Sequence, residues 1–201
     1  MHDRATDLPL LDVAASGTAV KPSSGGSCKF LCDEMLWGLG RWLRAAGYDT
    51  ATAARGLADG ELLRRAGAEG RVLLTLDRAF EARAGAQAVA ITLGSEGLDA
   101  GARELRARLG IDWLRAPFTR CLVDNAALVP ASNDARRDLP PKARTLGGAI
   151  NGCPDCGRLY WPGSHVRRML ARLEAWQESV PPRRVRTVGV GAMGRRAGDI
   201  S

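Results

Sequence analysis

The sequence predicts an α/β fold: a parallel sheet with helices on both faces, followed by a small metal-knuckle unit and a C-terminal helix. Three observations carry that expectation. Between Cys28 and Leu109, short apolar runs of β-forming residues alternate with amphipathic helical runs, the pattern of βαβ units. Beyond Pro117 the alternation dissolves into short strand and Pro-rich loop. Cys153-Pro-Asp-Cys156-Gly then sets two thiols on one tight turn, ahead of a short aromatic strand and a helix start.

Taken in order, residues 1–27 end in Lys-Pro-Ser-Ser-Gly-Gly-Ser and hold no sustained apolar period, so they read as a disordered leader. Residues 28–32 form a short buried strand in which Cys28 and Cys32 share a face as small core residues. A helix over 33–46 places Leu36, Leu39, Leu43 and Ala46 on one side, and Gly47 ends it. Strand two covers 48–53, a helix with Leu62 and Leu63 inward covers 59–69, and a buried strand covers 71–76 with Asp77 directly after it. A short helix over 78–84, a fourth strand over 88–93 and a helix over 100–109 complete the alternation. Ser164 is the expected cap of a last helix reaching about Gln177. Residues 181–201 open with Pro181-Pro182, are rich in Gly and Arg, and have too few large apolar groups to offset ordering entropy, so they read as a disordered basic tail.

At 201 residues the chain can bury a sizeable core. No apolar run approaches the roughly 20 residues that span a bilayer, and the N-terminus lacks a basic start followed by an apolar block, so the expected setting is cytoplasmic with no membrane partner. Five cysteines form no even framework, which suits thiols that serve a metal or the core in a reducing compartment. The net charge of +7 is weaker evidence than it looks. Residues 181–201 carry +4 and residues 1–27 carry −1, leaving +4 for the middle. Only Lys21, Lys29 and Lys142 are lysines, so the basicity reflects a general arginine preference as much as a nucleic-acid partner.

The Cys153/Cys156 pair is half of a zinc site and needs another half. Cys121 supplies one thiol, and three residues on, where a second would stand, is Asp124. Cys121, Asp124, Cys153 and Cys156 thus make a legal but atypical zinc tetrad. Two other readings stand beside it. A redox pair would sit at a strand-to-helix junction, whereas an aromatic strand follows here; a metal-free turn held by packing alone is the other.

In an open parallel sheet, ligands sit beyond the carboxyl ends of the strands, and Asp33, Asp59 and Asp77 all fall there. Carboxylates gathered at one rim repel unless a cation neutralises them, and oxygen donors favour Mg²⁺ or Mn²⁺. Such a cation can activate water and stabilise in-line displacement at a phosphodiester, so the expected chemistry is that of a nuclease. Glu34, Glu61, Glu96 and Asp99 are candidates for a fourth acid. Read singly, Asp33 and Asp59 are also ordinary helix-starting acids. A phosphoacceptor receiver would use Asp33, Glu34 and Asp77 as well, but its design wants a lysine after a later strand, and the next downstream is Lys142 in a Pro-rich loop.

Two blocks resemble the Mut7-C ribonuclease family, a PIN-type nuclease domain followed by a zinc ribbon. The first runs Phe30-Leu31-Cys32-Asp33-Glu34-Met35-Leu36 through Leu39, Arg41-Trp42-Leu43-Arg44 and Gly47-Tyr48-Asp49, then Asp59-x-Glu61-Leu62-Leu63 and Val72-Leu73-Leu74-Thr75-Leu76-Asp77-Arg78. The second is Arg120-Cys121-Leu122-Val123, Leu139-Pro140-Pro141 and the stretch from Cys153 to His165. The resemblance implies a PIN-like domain over 28–115 and a zinc-ribbon-like unit plus helix over 116–180. It implies metal-dependent RNA cleavage with Asp33, Asp59 and Asp77 as metal-holding acids, and a structural role for Asp49. Asp124 departs from it, standing where the family has its fourth ribbon cysteine, which bears on the zinc and not on the acids.

Candidate RNA contacts are Arg41 and Arg44 on the first helix, Arg78 after Asp77, and His165 at the start of the last helix. Trp161 is expected in the ribbon's small core, while Tyr160 and Trp113 are candidates for core or for stacking on unpaired bases. The competing functional class is a non-catalytic RNA-binding module, in which the acids are helix caps and the ribbon and arginines hold the RNA.

Overall fold

The computed structural model describes residues 28–82, 89–94, 97–145 and 147–179; the leader and tail expected from the sequence lie outside these residues. Strands β1 (Phe30–Cys32), β2 (Thr50–Thr52), β3 (Val72–Thr75) and β4 (Ala90–Thr92) form an all-parallel sheet in the order β2-β1-β3-β4. Parallel neighbours need crossovers, and α1 (Trp37–Ala45) and α2 (Asp59–Ala68) make the first two. After β4 the chain enters α3 (Leu98–Leu109).

Successive residues of a strand point to opposite faces, so β1 and β3 serve two cores at once. Leu31 and Leu73 pack with Leu62 and Ala66 of α2 and with Phe80 on one face, while Phe30, Cys32, Val72 and Leu74 meet α1 and α3 on the other. This layered parallel sheet is the architecture that a PIN-type domain implies. Burial pushes the Cys32 thiol up to about 12 and the Cys28 thiol to about 11, so both are protonated core groups at neutral pH.

The strands are shorter than their sequence patterns, and the first helix starts differently. Asp33 Oδ1 accepts the Glu34 N–H at 2.6 Å and caps a 3-10 turn, Glu34–Leu36, before α1 begins. The segment after Asp77 is likewise a 3-10 turn, Arg78–Ala82. At the end of α1, Gly47 has φ +92°, and a Cβ there would overlap the Ala116 carbonyl, because residues 116–118 cross the helix end and bond to Ala45 and Ala46.

The second unit holds β5 (Val129–Pro130), α4 (Asn133–Arg137), α5 (Pro141–Arg144), β6 (Asn151–Gly152) and β7 (Leu159–Tyr160). Its strands form an antiparallel sheet, β5-β6-β7, over a small core of Leu139, Ala143 and Ile150, with Trp161 packed against it as expected. Helix α6 (Ser164–Glu178) follows. The sequence groups α6 with the ribbon, but its stripe of Met169, Leu173 and Trp176 is buried in the first core. The reason is area: three small buried residues cannot cover an apolar stripe fifteen residues long, whereas α1 and α3 can. Trp176 lies 4.9 Å from Trp42 and 5.0 Å from Trp113 between ring centres, so Trp113 is core and does not stack on a base.

Ser164 is the first residue of α6 and not its cap. Gly163 holds the cap position, since any Cβ at 163 would come within 2.7 Å of Trp161 Nε1.

Candidate functional site

Strand β1 sits between β2, reached by the first crossover, and β3, reached by the second in the opposite direction. At such a reversal the loops leaving adjacent strand ends diverge and open a crevice. Asp33 leaves β1 there and Asp77 stands two residues beyond β3. Thr75, the buried last residue of β3, joins them: its Oγ1 donates to Asp33 Oδ2 at 2.9 Å and accepts the Asp77 backbone N–H at 3.0 Å. Asp77 Oδ1 accepts the Ala79 N–H at 2.8 Å. Two acids distant in sequence are thereby held by one hydroxyl. Asp59, half-buried, opens α2 after β2 at the same carboxyl edge and has its own interaction partner. Among the described residues, however, the three carboxylates do not form a compact group of ligand atoms.

The candidate fourth acids separate clearly. Glu34 Oε2 accepts the Gly56 N–H at 2.8 Å, tying the first 3-10 turn to the loop before α2. Glu61 is paired with Arg64, whose hydrogen bond lowers its carboxyl below the ordinary range. Asp99 is a correction: it accepts Arg172 Nη2 and Trp176 Nε1, each at 2.8 Å, and so latches α3 to α6 instead of facing the acid edge. Glu96 lies outside the described residues.

The one group of three or more His, Cys, Asp or Glu ligand atoms within metal reach, among the described residues, is Cys121, Asp124, Cys153 and Cys156, all within 4.8 Å of one another. Two matching turns build it. In the first, the Asn125 N–H bonds to the Cys121 carbonyl and the Cys121 N–H to the Ala126 carbonyl; in the second, Gly157 bonds to Cys153 and Cys153 to Arg158 in the same way. The residue after each second ligand is left-handed, Asn125 at φ +74° and Gly157 at φ +71°. Asp124 therefore occupies the place of a knuckle cysteine, backbone included.

A tetrahedral zinc with thiolate bonds sets its sulfurs about 3.8 Å apart. Cys121 Sγ and Cys156 Sγ are 3.6 Å apart, and Cys153 Sγ is 3.2 Å from Asp124 Oδ2, so the donor set and its spacing fit zinc. Burial pushes the Cys121 thiol up, but hydrogen bonds from the Tyr160 hydroxyl and the Val123 N–H outweigh it and leave it below the usual thiol range. Burial also raises Asp124, yet bonds from Cys156, Ala126 and the other thiols hold its carboxyl far below normal. The bond to Asp124 in turn pushes the Cys156 thiol up to about 12. The charge is thus already concentrated where a cation would sit, and a metal would displace the remaining thiol protons.

The basic candidates divide as well. Arg44 is buried, a correction to its expected role as an RNA contact. Its guanidinium donates to the carbonyls of Thr50 at 2.7 Å and Val123 at 2.7 Å, and more weakly to Leu122 and Thr52, which pins the first knuckle to β2. Arg41, Arg78 and His165 are exposed. Tyr160 is half-buried and spends its hydroxyl on Cys121 and the Leu122 N–H, so it shapes the knuckle. Asp49 is structural: its Oδ1 accepts Arg71 at 2.6 Å and Asn125 at 2.7 Å. Sequence reasoning missed Thr75 and Asn125. A polar residue closing the otherwise apolar run Val72-Leu73-Leu74 is the signal for Thr75; the left-handed demand of a knuckle turn is the signal for Asn125.

A search of curated proteins and one of solved structures give no match. The family model described as the Mut7-C RNAse domain matches residues 28–173, which takes in both cores, the acid edge, both knuckles and most of α6. With that span covered, the chain belongs to the Mut7-C RNAse domain family.

Proposed function

We propose that this protein is a metal-dependent ribonuclease in which Asp33 and Asp77, with Asp59, hold Mg²⁺ or Mn²⁺ at the carboxyl edge of the parallel sheet. The observation that carries the reading is the Thr75 bridge between Asp33 and Asp77 at the sheet's reversal point, in a member of an RNase family. The donors suit a hard cation, being carboxylate oxygens. Each also keeps acceptor capacity after its internal hydrogen bonds, since a carboxylate offers about four lone-pair sites. When bound, the cation supplies Lewis acidity toward a phosphodiester. The chain's own part is placement: Thr75 and the Glu34 N–H fix both oxygens of Asp33, and Glu34 steadies the loop before α2. Arg41, Arg78 and His165 offer cationic or donor groups to the RNA backbone.

Zinc is the second cofactor of this proposal, held by Cys121, Asp124, Cys153 and Cys156, where it would join the two knuckle turns. The test is product formation from mixed-sequence RNA with Mn²⁺, with Mg²⁺ and without divalent cation. The wild type cleaves only with cation, and Asp77→Asn loses about a hundredfold or more of that rate. Salt-sensitive RNA binding with no product under any condition points instead to a non-catalytic RNA-binding module.

A further inference from the structure

An open groove of about 480 Å³ runs between α1 and the second unit, lined by Arg41, Val123, Arg158, Trp161, His165 and Val166 among others. Its lining includes two arginines and a histidine but no carboxylate. Several guanidiniums of this arginine-rich chain are engaged within the fold: Arg44 on carbonyls, Arg71 on Asp49 and Glu69, Arg172 on Asp99. Arg41 and Arg158, by contrast, have no hydrogen-bond or ion-pair partner for their side chains among the described residues. Two unpaired forks flanking apolar walls suit a ligand that is flat and apolar in one part and anionic in another.

Building on the reading that the chain acts on RNA, we propose that this groove seats an unpaired segment of the RNA strand, with a base against the apolar walls and its phosphates on Arg41 and Arg158. The volume falls in the range of small-ligand clefts and admits a nucleoside. A duplex hides its base faces, so unpaired RNA is the form that matches apolar walls. The groove also adjoins the acid edge along one element. Arg41 follows Trp37 by one turn of α1, Trp37 Nε1 donates to the Ala53 carbonyl just past β2, and Asp33 lies eight residues before Arg41, roughly 14 Å by the rise of the 3-10 turn and the helix. A strand crossing the acids reaches the groove by following the exposed side of α1. At the groove's far end the first N–H groups of α6 have no side-chain cap, because Gly163 has no room for one beside Trp161. Both knuckles frame the groove, Leu122 and Val123 lying inside the first and Arg158 two residues past Cys156.

The test is fluorescence anisotropy of a labelled 12-nucleotide single-stranded RNA with the full zinc-loaded chain, in the absence of Mg²⁺ and Mn²⁺. Arg41→Ala/Arg158→Ala weakens binding about tenfold or more and flattens the slope of log K against log salt by roughly 1.4, two phosphate contacts on a single strand. Val123→Glu, which adds a carboxylate to the wall, weakens binding comparably with an unchanged melting temperature, whereas Arg137→Ala on α4 leaves affinity as it was. Equal affinity and slope in both groove variants overturns the proposal, as does tighter binding of a duplex of the same length. A protein that cleaves RNA with Mn²⁺ yet binds it equally after these substitutions keeps the ribonuclease reading and loses the groove. One that binds through the groove yet forms no product keeps the groove and loses the ribonuclease.

Discussion

Thr75 is not itself a proposed ligand, yet its hydroxyl holds the Asp33 carboxylate and the backbone N–H of Asp77. Thr75→Val keeps the shape and removes the bond, leaving Asp33 Oδ2 short of a buried donor; the expected result is a 10- to 100-fold loss of cleavage with little change in Mn²⁺-independent folding, and recovery in Thr75→Ser. Steady-state cleavage rates beside thermal melts check this. The placement of Asp33 and Asp77 at the carboxyl edge is legible in the sequence because an acid after a buried strand in an alternating chain falls at that rim. Thr75 is not, because threonine at a strand end is an ordinary β-former until its partner across the sheet is known. Arg44 misleads for a related reason: i, i+3 spacing with Arg41 describes a helix surface, but cannot reveal that the first knuckle folds over one of the two. At Asp124 the sequence does show the knuckle position, whose carboxylate lies within 4.8 Å of the three thiols. Asp124→Cys restores a fourth thiolate, and zinc affinity measured against a chromophoric chelator rises about tenfold or more; unchanged affinity would place Asp124 outside the coordination sphere.

Among elements, the edge between β2 and the first knuckle couples the two parts of the chain. Asp49 starts this edge, and Asn125 ties it by donating to Asp49 and accepting the Thr50 N–H at 2.9 Å. Burial pushes the Asp49 carboxyl up, but the hydrogen bonds from Arg71 and Asn125 pull it further down, leaving it below the ordinary value. A folded value below the unfolded one means that the latch's stabilisation is complete above the unfolded value, near pH 4, and is lost as pH falls through the lower folded value. Asp49→Asn therefore costs about 1–2 kcal/mol near neutral pH, and the gap from wild type narrows on acidification below about pH 4. Urea unfolding at pH 7 and at pH 3 checks the sign; a gap that stays constant removes the charge from the account. The alternation of strands and helices was readable from periodicity because β1 and β3 are apolar on both faces, with one set of residues for each core. The docking of α6 was not, because a stripe of Met169, Leu173 and Trp176 says that a helix is covered without saying by what.

For the whole molecule, the parallel sheet sets acids at its carboxyl edge, α1 leads away from them, and the knuckle unit closes over the other end of α1 through Arg44 and Asn125. The proposed zinc site and the proposed cleavage site are thus separate places joined by one helix. The central claim is that Asp33 and Asp77 share a hard cation, and the most direct measurement is Mn²⁺ uptake by the zinc-loaded protein, read from the loss of the free Mn²⁺ electron paramagnetic resonance signal. The account predicts Mn²⁺ uptake by the wild type that disappears in Asp33→Asn/Asp77→Asn while zinc content stays the same. Equal Mn²⁺ uptake by the two proteins would contradict it.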